Sequence, residues 1–206
     1  MIVRKLMEYA DHQYRLPKGI LGQYFGEKMA IQHRTETQWT LDLLKITKEE
    51  RVLELGCGAG YAIKQLLKLA DVEFVAGLDL SESILRSARI RNRLAINEGR
   101  AAFIQGNVCK IPLGSDMFTK VYSIHSIYFW DLTFETISEI HRVLKNNGSI
   151  TITLCNGKNG KTWSGVNQMV DHQLLPLMKK AGFKNITLVN GPDSRKYQTV
   201  AVIAEK

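Results

Sequence analysis

The chain has 206 residues, a net charge of +8, 45% hydrophobic residues and 23% charged residues. This length and composition suit one globular domain, and no apolar run approaches the roughly 18 residues that a membrane span needs. The first residues are charged and polar where a secretion signal needs an apolar segment, so we expect a cytoplasmic protein. The cysteines Cys57, Cys109 and Cys155 form no CxxC pair, which predicts neither disulfides nor a metal site.

The positive charge could favour anionic partners, but it is dispersed along the chain. Its densest patch places Arg86, Arg89 and Arg93 on one face of a predicted helix, which is typical of a solvated surface. The charge alone therefore identifies no partner.

The pattern of predicted helices and strands divides the chain into two parts at residue 48. Residues 1–48 are predicted to form a helical cap or lid, with an amphipathic helix at 39–46, and residues 49–206 form one α/β domain. Short apolar strands there alternate with helices, the pattern of a doubly wound fold. The predicted helices are 61–69, 81–99, 134–148 and 166–183, the last interrupted at Pro176. The predicted strands are 51–57, 72–80, 101–107, 120–127, 149–155, 185–190 and 199–205.

The strand compositions predict how the sheet is built. Several strands are apolar nearly throughout, which suits a parallel sheet covered by helices on both faces. The last two are joined only by the short link GPDSRKY, so they should pair antiparallel. The predicted fold is a three-layer sandwich with a seven-stranded, mostly parallel sheet and one antiparallel strand near the C-terminus.

The glycine loop after the first strand is the most informative segment. It reads ELGCGAG, and its three glycines, Gly56, Gly58 and Gly60, would let the chain turn sharply and let a ligand approach the backbone. Ligands of α/β sheets bind at the carboxyl ends of the strands. Asp79 ends the second strand, where an acid can accept hydrogen bonds from the ribose of a nicotinamide nucleotide or of S-adenosylmethionine.

Two details separate these two ligands. The spacing is GxGxG rather than GxGxxG, and Glu54 lies two residues before the first glycine. A carboxylate there is unfavourable beside a pyrophosphate but suits a ligand with an ammonium group. The residues therefore favour S-adenosylmethionine over a nicotinamide cofactor.

The motif ELGCGAG followed by GLDLSESIL resembles the first two motifs of the class I S-adenosylmethionine-dependent methyltransferases. Residues 103–130 and 141–153 resemble later segments of that family, and the likeness covers about 36–206. It is closest to the small-molecule branch that includes the ubiquinone and menaquinone methyltransferases. The resemblance implies a Rossmann-like fold, S-adenosylmethionine as cofactor and in-line methyl transfer to a small molecule.

The resemblance also implies roles for individual residues. Glu54 would face the amino end of the methionine moiety, Asp79 would hold the ribose hydroxyls, and Leu80 would lie against the adenine. The remaining residues that it assigns to the cofactor are Gly56, Cys57, Gly58, Gly60, Asn107, Val108 and His125.

Three positions depart from the family pattern. Asn107 stands where an aspartate is usual, although its amide oxygen can still accept a hydrogen bond from the adenine. Thr119 replaces another aspartate, and Asn146–Asn147 replace a proline–glycine turn. None of these changes removes the predicted site.

The acceptor side carries no motif. His125, at the carboxyl end of the fourth predicted strand, is the candidate general base, and its alternative is a histidine that contacts the cofactor or packs. Tyr128 and Trp130 would wall the acceptor pocket, with Tyr24 and His33 from the lid. The other histidines lack partners at ligand spacing, and no metal ion is expected. The methyl acceptor and the oligomeric state are left open.

Three alternatives compete with small-molecule methylation. A nucleic-acid methyltransferase is disfavoured because IHSIYFW lacks the prolines of the base-methylating motif, and no basic stretch with interleaved aromatics is present. A nicotinamide-dependent oxidoreductase is disfavoured by the loop spacing and Glu54. The third alternative is a protein that is not an enzyme: it would share the fold and bind the cofactor without catalysing a reaction.

Overall fold

The computed structural model describes residues 32–69 and 71–206, and its centre is a sheet of seven strands. The strands are β1 (Arg51–Leu55), β2 (Phe74–Asp79), β3 (Ala101–Gln105), β4 (Phe118–Ile124), β5 (Leu144–Lys158), β6 (Lys161–Thr162), β7 (Lys184–Asn190) and β8 (Tyr197–Glu205). The seven long strands lie in the sheet in the order β3-β2-β1-β4-β5-β8-β7, and the short β6 pairs with β5 outside this order.

Strands β1 to β5 are parallel to one another, and β8 runs antiparallel between β5 and β7. The short link before β8 has no room for a helical crossover, which forces this reversal. The prediction of a mostly parallel sheet with one antiparallel strand near the C-terminus is confirmed.

Helices cover both faces of the sheet. They are α1 (Arg34–Leu43), α2 (Tyr61–Leu69), α3 (Glu82–Arg91), α4 (Arg93–Asn97), α5 (Phe134–Val143), α6 (Ser164–Met169) and α7 (Leu175–Lys180). In β1, Leu53 joins an apolar cluster with Ile140 of α5, whereas the adjacent Val52 joins a second cluster with Ile63 of α2. Alternating side chains therefore fill two cores, as the predicted three layers require.

Helix α1 belongs to the core with α2. Its Leu41 is buried in the same cluster as Ile63, and Thr40 Oγ1 lies 2.7 Å from Thr153 Oγ1 of β5. Helix α1 thus begins five residues before the predicted helix at 39–46 and ends at Leu43. The division of the chain at residue 48 stays a prediction. No helix within the described ranges is long and apolar enough to cross a membrane.

Two predicted helices have different ends in the structure. The helix predicted over 134–148 stops at Val143, because Leu144 is extended and pairs with Phe118 as the start of β5. Lys206 Nζ donates to the Leu144 carbonyl oxygen at 2.7 Å, which satisfies an acceptor that the helix end leaves free. Leu144 is fully buried, so the apolar pattern does not distinguish a helix from a strand there.

The helix predicted over 81–99 is divided at Asn92. The Asn92 side-chain amide donates to the carbonyl oxygens of Ala88, at 2.9 Å, and Gly60, at 3.0 Å. Such side-chain bonds compete with the helical backbone ladder, so α3 ends and α4 begins at this residue. The helix predicted over 166–183 is interrupted just before Pro176 rather than at it, since a π-helical turn, Val170–Leu174, separates α6 from α7 and Pro176 is the second residue of α7.

Two isoleucines on helices provide a matched test of the core. We expect Ile140→Ala to lower the free energy of unfolding by about 2–5 kcal/mol, since its fully buried side chain would leave a cavity. Ile90 is 73% exposed, so Ile90→Ala should change the same quantity by less than about 0.5 kcal/mol. Urea unfolding monitored by circular dichroism measures both, and equal losses would contradict this assignment of the core.

Candidate functional site

The glycine loop joins β1 to α2 and is held against the neighbouring strands. The backbone amides of Gly56 and Cys57 donate to the Leu78 carbonyl oxygen at 2.8 and 3.0 Å. A Cβ on Gly56 would lie 2.3 Å from the Cβ of Ser126, and the Gly56 φ is +73°. Both the close approach and the backbone conformation therefore require glycine at this position.

Gly58 lies in the same loop but faces open space. Its φ is +49°, and a Cβ there would have no atom within 4 Å. A ligand can thus approach the loop backbone at Gly58 without meeting a side chain. Gly60 instead packs against α3, where its carbonyl oxygen accepts a hydrogen bond from Asn92.

Asp79, at the end of β2, joins the loop to the start of α3. Its Oδ2 accepts a hydrogen bond from the Gly58 amide at 2.9 Å, and its Oδ1 accepts one from the Ser81 amide at 2.9 Å. Burial raises the pKa of Asp79, although these backbone bonds oppose the shift. The carboxyl oxygens keep further acceptor capacity beside the open face of the loop.

Glu54 is buried one residue before the end of β1. Tyr122, its partner in the β1–β4 register, donates a hydrogen bond from its hydroxyl to Glu54 Oε2 at 3.1 Å. Burial raises the pKa of Glu54 well above its usual value, the Tyr122 bond opposes this, and the negative charge of Asp79 adds to it. A ligand with a positive charge would stabilise the ionised form of this carboxyl group.

The other predicted cofactor residues lie around the loop in different environments. Cys57 is buried in the α2 cluster, and burial raises the pKa of its thiol well above the usual value, so the thiol stays protonated. Leu80 follows Asp79 and is 54% exposed, which suits an apolar contact with a ligand. Val108 is buried, and Asn107 is exposed with its Oδ1 accepting from the Cys109 amide at 2.9 Å.

His125 follows β4 and lies against the start of α1. Its φ is +56°, which residues other than glycine seldom adopt, and its ring centroid is 4.3 Å from that of His33. Its Nε2 lies 4.0 Å from Oε1 of the buried Glu36. Burial lowers the pKa of His125 to about 3, with the neighbouring His33 adding to the shift and Glu36 opposing it. The imidazole is therefore neutral near neutral pH.

The predicted acceptor-pocket residues are only partly brought together. His33 and Tyr128 flank His125, with the Tyr128 ring centroid 6.5 Å from the His125 ring. The Tyr128 hydroxyl donates to the Cys155 carbonyl oxygen, at 2.9 Å, and accepts from the Cys155 amide, at 2.6 Å. The Trp130 indole packs on the α5 cluster and donates to Ser126 Oγ at 3.1 Å. Tyr24 lies outside the described residues.

Sequence reasoning missed four residues of this region. Tyr122 could have been found, because β1 and β4 are neighbours in a doubly wound sheet and their register pairs it with Glu54. Ser126, Glu36 and Arg195 gave no local signal. Arg195 Nη2 donates to Glu36 Oε1 at 3.2 Å although the two residues lie at opposite ends of the chain.

Comparisons with known proteins identify relatives of this chain. It matches the model of a methyltransferase domain over residues 53–152. It is 32% identical over 167 residues to a protein of Bacillus subtilis (strain 168) named uncharacterized methyltransferase YdaC, which covers 79% of this chain and 87% of that protein. It is 27% identical over 152 residues to 24-methylenesterol C-methyltransferase 3 of Arabidopsis thaliana, covering 68% of this chain and 42% of that longer protein.

Solved structures share the fold at lower identity. Phosphoethanolamine N-methyltransferase 2 of Haemonchus contortus in complex with S-adenosyl-L-methionine matches with a TM-score of 0.67 and 18% identity, covering 84% of this chain and 52% of that chain. Geranyl diphosphate C-methyltransferase from Streptomyces coelicolor A3(2) matches with a TM-score of 0.67 and 17% identity, covering 82% and 78%.

The contact between Gly56 and Ser126 can be tested by a double-mutant cycle. We expect Gly56→Ala to lower the free energy of unfolding by about 2–5 kcal/mol, from left-handed strain and overpacking. Gly58→Ala, the control, should cost only the strain, about 1–2 kcal/mol. Adding Ser126→Gly to Gly56→Ala removes the clashing atoms, so the combined loss in thermal or urea unfolding should be smaller than the sum of the single losses. Additivity within about 0.5 kcal/mol would contradict the contact.

Proposed function

Since this chain belongs to the class I S-adenosylmethionine-dependent methyltransferases, we propose that it methylates a small-molecule acceptor by in-line displacement. The observation that carries the proposal is the pair of carboxyl groups, Glu54 and Asp79, on either side of a glycine loop whose Gly58 faces open space. The relatives include sterol and geranyl diphosphate methyltransferases, which favours a small acceptor over nucleic acid. The sequence alone predicts a cytoplasmic location.

The residues around the loop fit the cofactor. A Cβ at Gly58 would project into the space where a ligand approaches the loop, and Asp79 offers carboxylate oxygens next to that space. We assign Asp79 to the ribose hydroxyls and Glu54 to the ammonium group of the methionine moiety. Loss of solvent contact raises the pKa of both carboxyl groups, which means that their ionised forms are disfavoured. Hydroxyl donors at Asp79 and a cation at Glu54 would stabilise the ionised forms.

The remaining cofactor contacts follow from position. Leu80 exposes an apolar side chain directly after Asp79, which suits the adenine face. Asn107 and Val108 follow β3, the strand beside β2, and are assigned to the adenine edge. Cys57 would contact the cofactor through its backbone, because its side chain is packed in the core.

S-adenosylmethionine, when bound, supplies a methyl group that is activated by its sulfonium centre. The protein then has to position the acceptor, exclude water and hold the acceptor's reactive atom in line. His125, His33 and Tyr128 lie together at the carboxyl end of β4, beside Ser126, which packs on Gly56 of the loop. We assign this cluster to the acceptor side.

The neutral state of His125 bears on its role. A general base works best when its pKa is close to the operating pH, and burial lowers the pKa of His125 to about 3. The imidazole therefore has an available lone pair but little affinity for a proton. This favours His125 as a residue that positions the acceptor over the general-base hypothesis.

A turnover assay tests the proposed function. Wild-type protein should release S-adenosylhomocysteine with at least one member of a panel of small hydroxyl, amine and carbon acceptors. Asp79→Asn should raise the Kd for S-adenosylmethionine about 10–100-fold in calorimetry, because a charge-assisted hydrogen bond is lost. The exposed Asp171→Asn is the control and should leave the Kd unchanged. Release with RNA or DNA alone would contradict a small-molecule acceptor.

The raised pKa of Glu54 predicts that cofactor binding is linked to protons. Burial keeps part of the Glu54 population protonated above the usual pKa, and an ammonium group lowers that pKa on binding. Binding should therefore release protons, and the affinity should fall as the pH is lowered through the raised pKa of Glu54. Calorimetry in buffers with different ionisation enthalpies measures the release, which Glu54→Gln should reduce. Enthalpies that do not depend on the buffer would show that Glu54 is ionised before binding.

A further inference from the structure

Three side chains that can each bind a metal ion meet where α1 crosses the end of β4. His33, Glu36 and His125, here called the HEH cluster, each offer one ligand atom, and these atoms all lie within 4.8 Å of one another. His33 Nδ1 is 3.7 Å from Glu36 Oε1, and His125 Nε2 is 4.0 Å from the same oxygen. His33 and Glu36 lie one helical turn apart, so a single helix end presents both to His125.

Two atoms of the HEH cluster are buried without a hydrogen-bond partner. They are Glu36 Oε2 and His125 Nε2, and they are among only five such side-chain atoms found in the described part of the chain. Buried polar atoms are nearly always paired in folded proteins, and exceptions mark sites of strain or of an ion or ligand. The Glu36 side chain is 0% exposed, so water does not reach it from the surface.

The three side chains are of types that bind metal ions in proteins. Glu36 Oε1 accepts a hydrogen bond from the Arg195 guanidinium at 3.2 Å, which is the contact of a carboxylate with a cation. An imidazole ring offers a nitrogen lone pair to a metal ion. The donor set is therefore two imidazole nitrogens and one carboxylate oxygen.

The spacing of these atoms is close to that of a metal site. Zn²⁺ binds His nitrogen and carboxylate oxygen at about 2.0–2.2 Å, which puts two tetrahedral ligand atoms about 3.4 Å apart. The separations of 3.7 and 4.0 Å to Glu36 Oε1 are wider by a few tenths of an ångström, and the two imidazole nitrogens lie within 4.8 Å of each other, so the side chains would have to close in slightly around an ion. We propose that His33, Glu36 and His125 bind one divalent transition-metal ion of the Zn²⁺ and Co²⁺ type, with at least one coordination position open.

Arg195 competes for the same atoms. Its Nη2 lies 3.1 Å from His33 Nδ1 and 3.2 Å from Glu36 Oε1, so the HEH cluster holds a positive group in this structure. The Arg195 side chain is 39% exposed and extends from the link between β7 and β8. An exposed side chain of this length can turn into solvent when a metal ion binds, which makes removal of Arg195 a direct test.

The position of the HEH cluster suggests what the ion would do, and this step rests on the proposed function. His125 is followed by Ser126, which packs on Gly56 of the cofactor loop. An open coordination position there would bind an oxygen of the acceptor, and a divalent ion stabilises an oxygen in its deprotonated form. The acceptor class that fits is a molecule with a hydroxyl or enol oxygen.

The test is a Co²⁺ titration of the tag-free, full-length protein after chelator treatment, followed by visible absorption without S-adenosylmethionine. We expect one bound Co²⁺ with ligand-field bands, which Zn²⁺ removes by displacing it. His33→Ala and Glu36→Gln should each raise the Kd for Co²⁺ by at least about 10–100-fold. That is the effect of losing a hydrogen-bond partner of a metal ligand, and loss of the ligand itself should cost no less. His33 is half-buried, so its truncation should leave the fold intact. The control is His172→Ala, an exposed histidine, which should leave the titration unchanged.

Arg195→Ala separates this site from a structural ion pair. Loss of the competing charge should tighten Co²⁺ binding by about five- to tenfold. Bands that His33→Ala removes, in the wild type or in the Arg195→Ala background, support the proposal. Absence of bands from both proteins overturns it, and so does binding that survives His33→Ala unchanged. Each variant's thermal melt confirms that it is folded.

The metal titration and the proposed function fail separately. Calorimetry with S-adenosylmethionine in the presence of a chelator measures cofactor binding without a metal ion. Cofactor binding and turnover in chelator, together with no Co²⁺ bands, would overturn the metal site and leave the proposed function standing. Co²⁺ binding without cofactor binding would overturn the proposed function and leave the metal site.

Discussion

The site depends on the Asp79 carboxylate, which fixes the glycine loop relative to the second strand. One oxygen accepts a hydrogen bond from the Gly58 amide and the other accepts one from the Ser81 amide, so a single side chain holds both the loop and the start of α3. Bonds between ionised and neutral partners are among the stronger ones in proteins. The loop amides of Gly56 and Cys57 are held by the Leu78 carbonyl oxygen of the same strand. These hydrogen bonds therefore fix the position of the loop, and Gly58 faces open space.

Much of the fold follows from patterns that act over short distances. Each of the seven long strands overlaps its predicted range, and for the central parallel strands the reason is that a strand buried on both faces has to be apolar nearly throughout. Helix α2 has the predicted bounds, since its apolar residues recur at helical spacing. The errors occur where a distant residue decides the outcome. Asn92 divides a helix by bonding to Gly60, and Lys206 satisfies the carbonyl oxygen at Leu144.

The same division holds for the site. The loop, Glu54 and Asp79 are close in sequence and belong to adjacent strands, so their motif could be read directly. The meeting of His33, Glu36 and His125 depends on how α1 packs over β4 and β5, and no local pattern encodes that packing. The sequence predicts no metal ion for this reason: the three residues show ligand spacing only after folding. Tyr122 is an intermediate case, since strand order alone pairs it with Glu54.

The charge of the whole chain is a poor guide to the charge of its site. The net charge is +8, yet three carboxyl groups lie around the cofactor loop and beneath α1: Glu54 and Glu36, which are buried, and Asp79, which is partly buried. Burial makes an uncompensated negative charge costly, so each of these groups favours a positive or hydrogen-donating partner. We propose that Glu54 and Asp79 bind the ammonium group and the ribose hydroxyls of the cofactor, and Glu36 accepts a hydrogen bond from the Arg195 guanidinium. The dispersed arginines and lysines therefore do not indicate the charge of the ligand, because the carboxyl groups beside the proposed site favour positive or hydrogen-donating ligand groups.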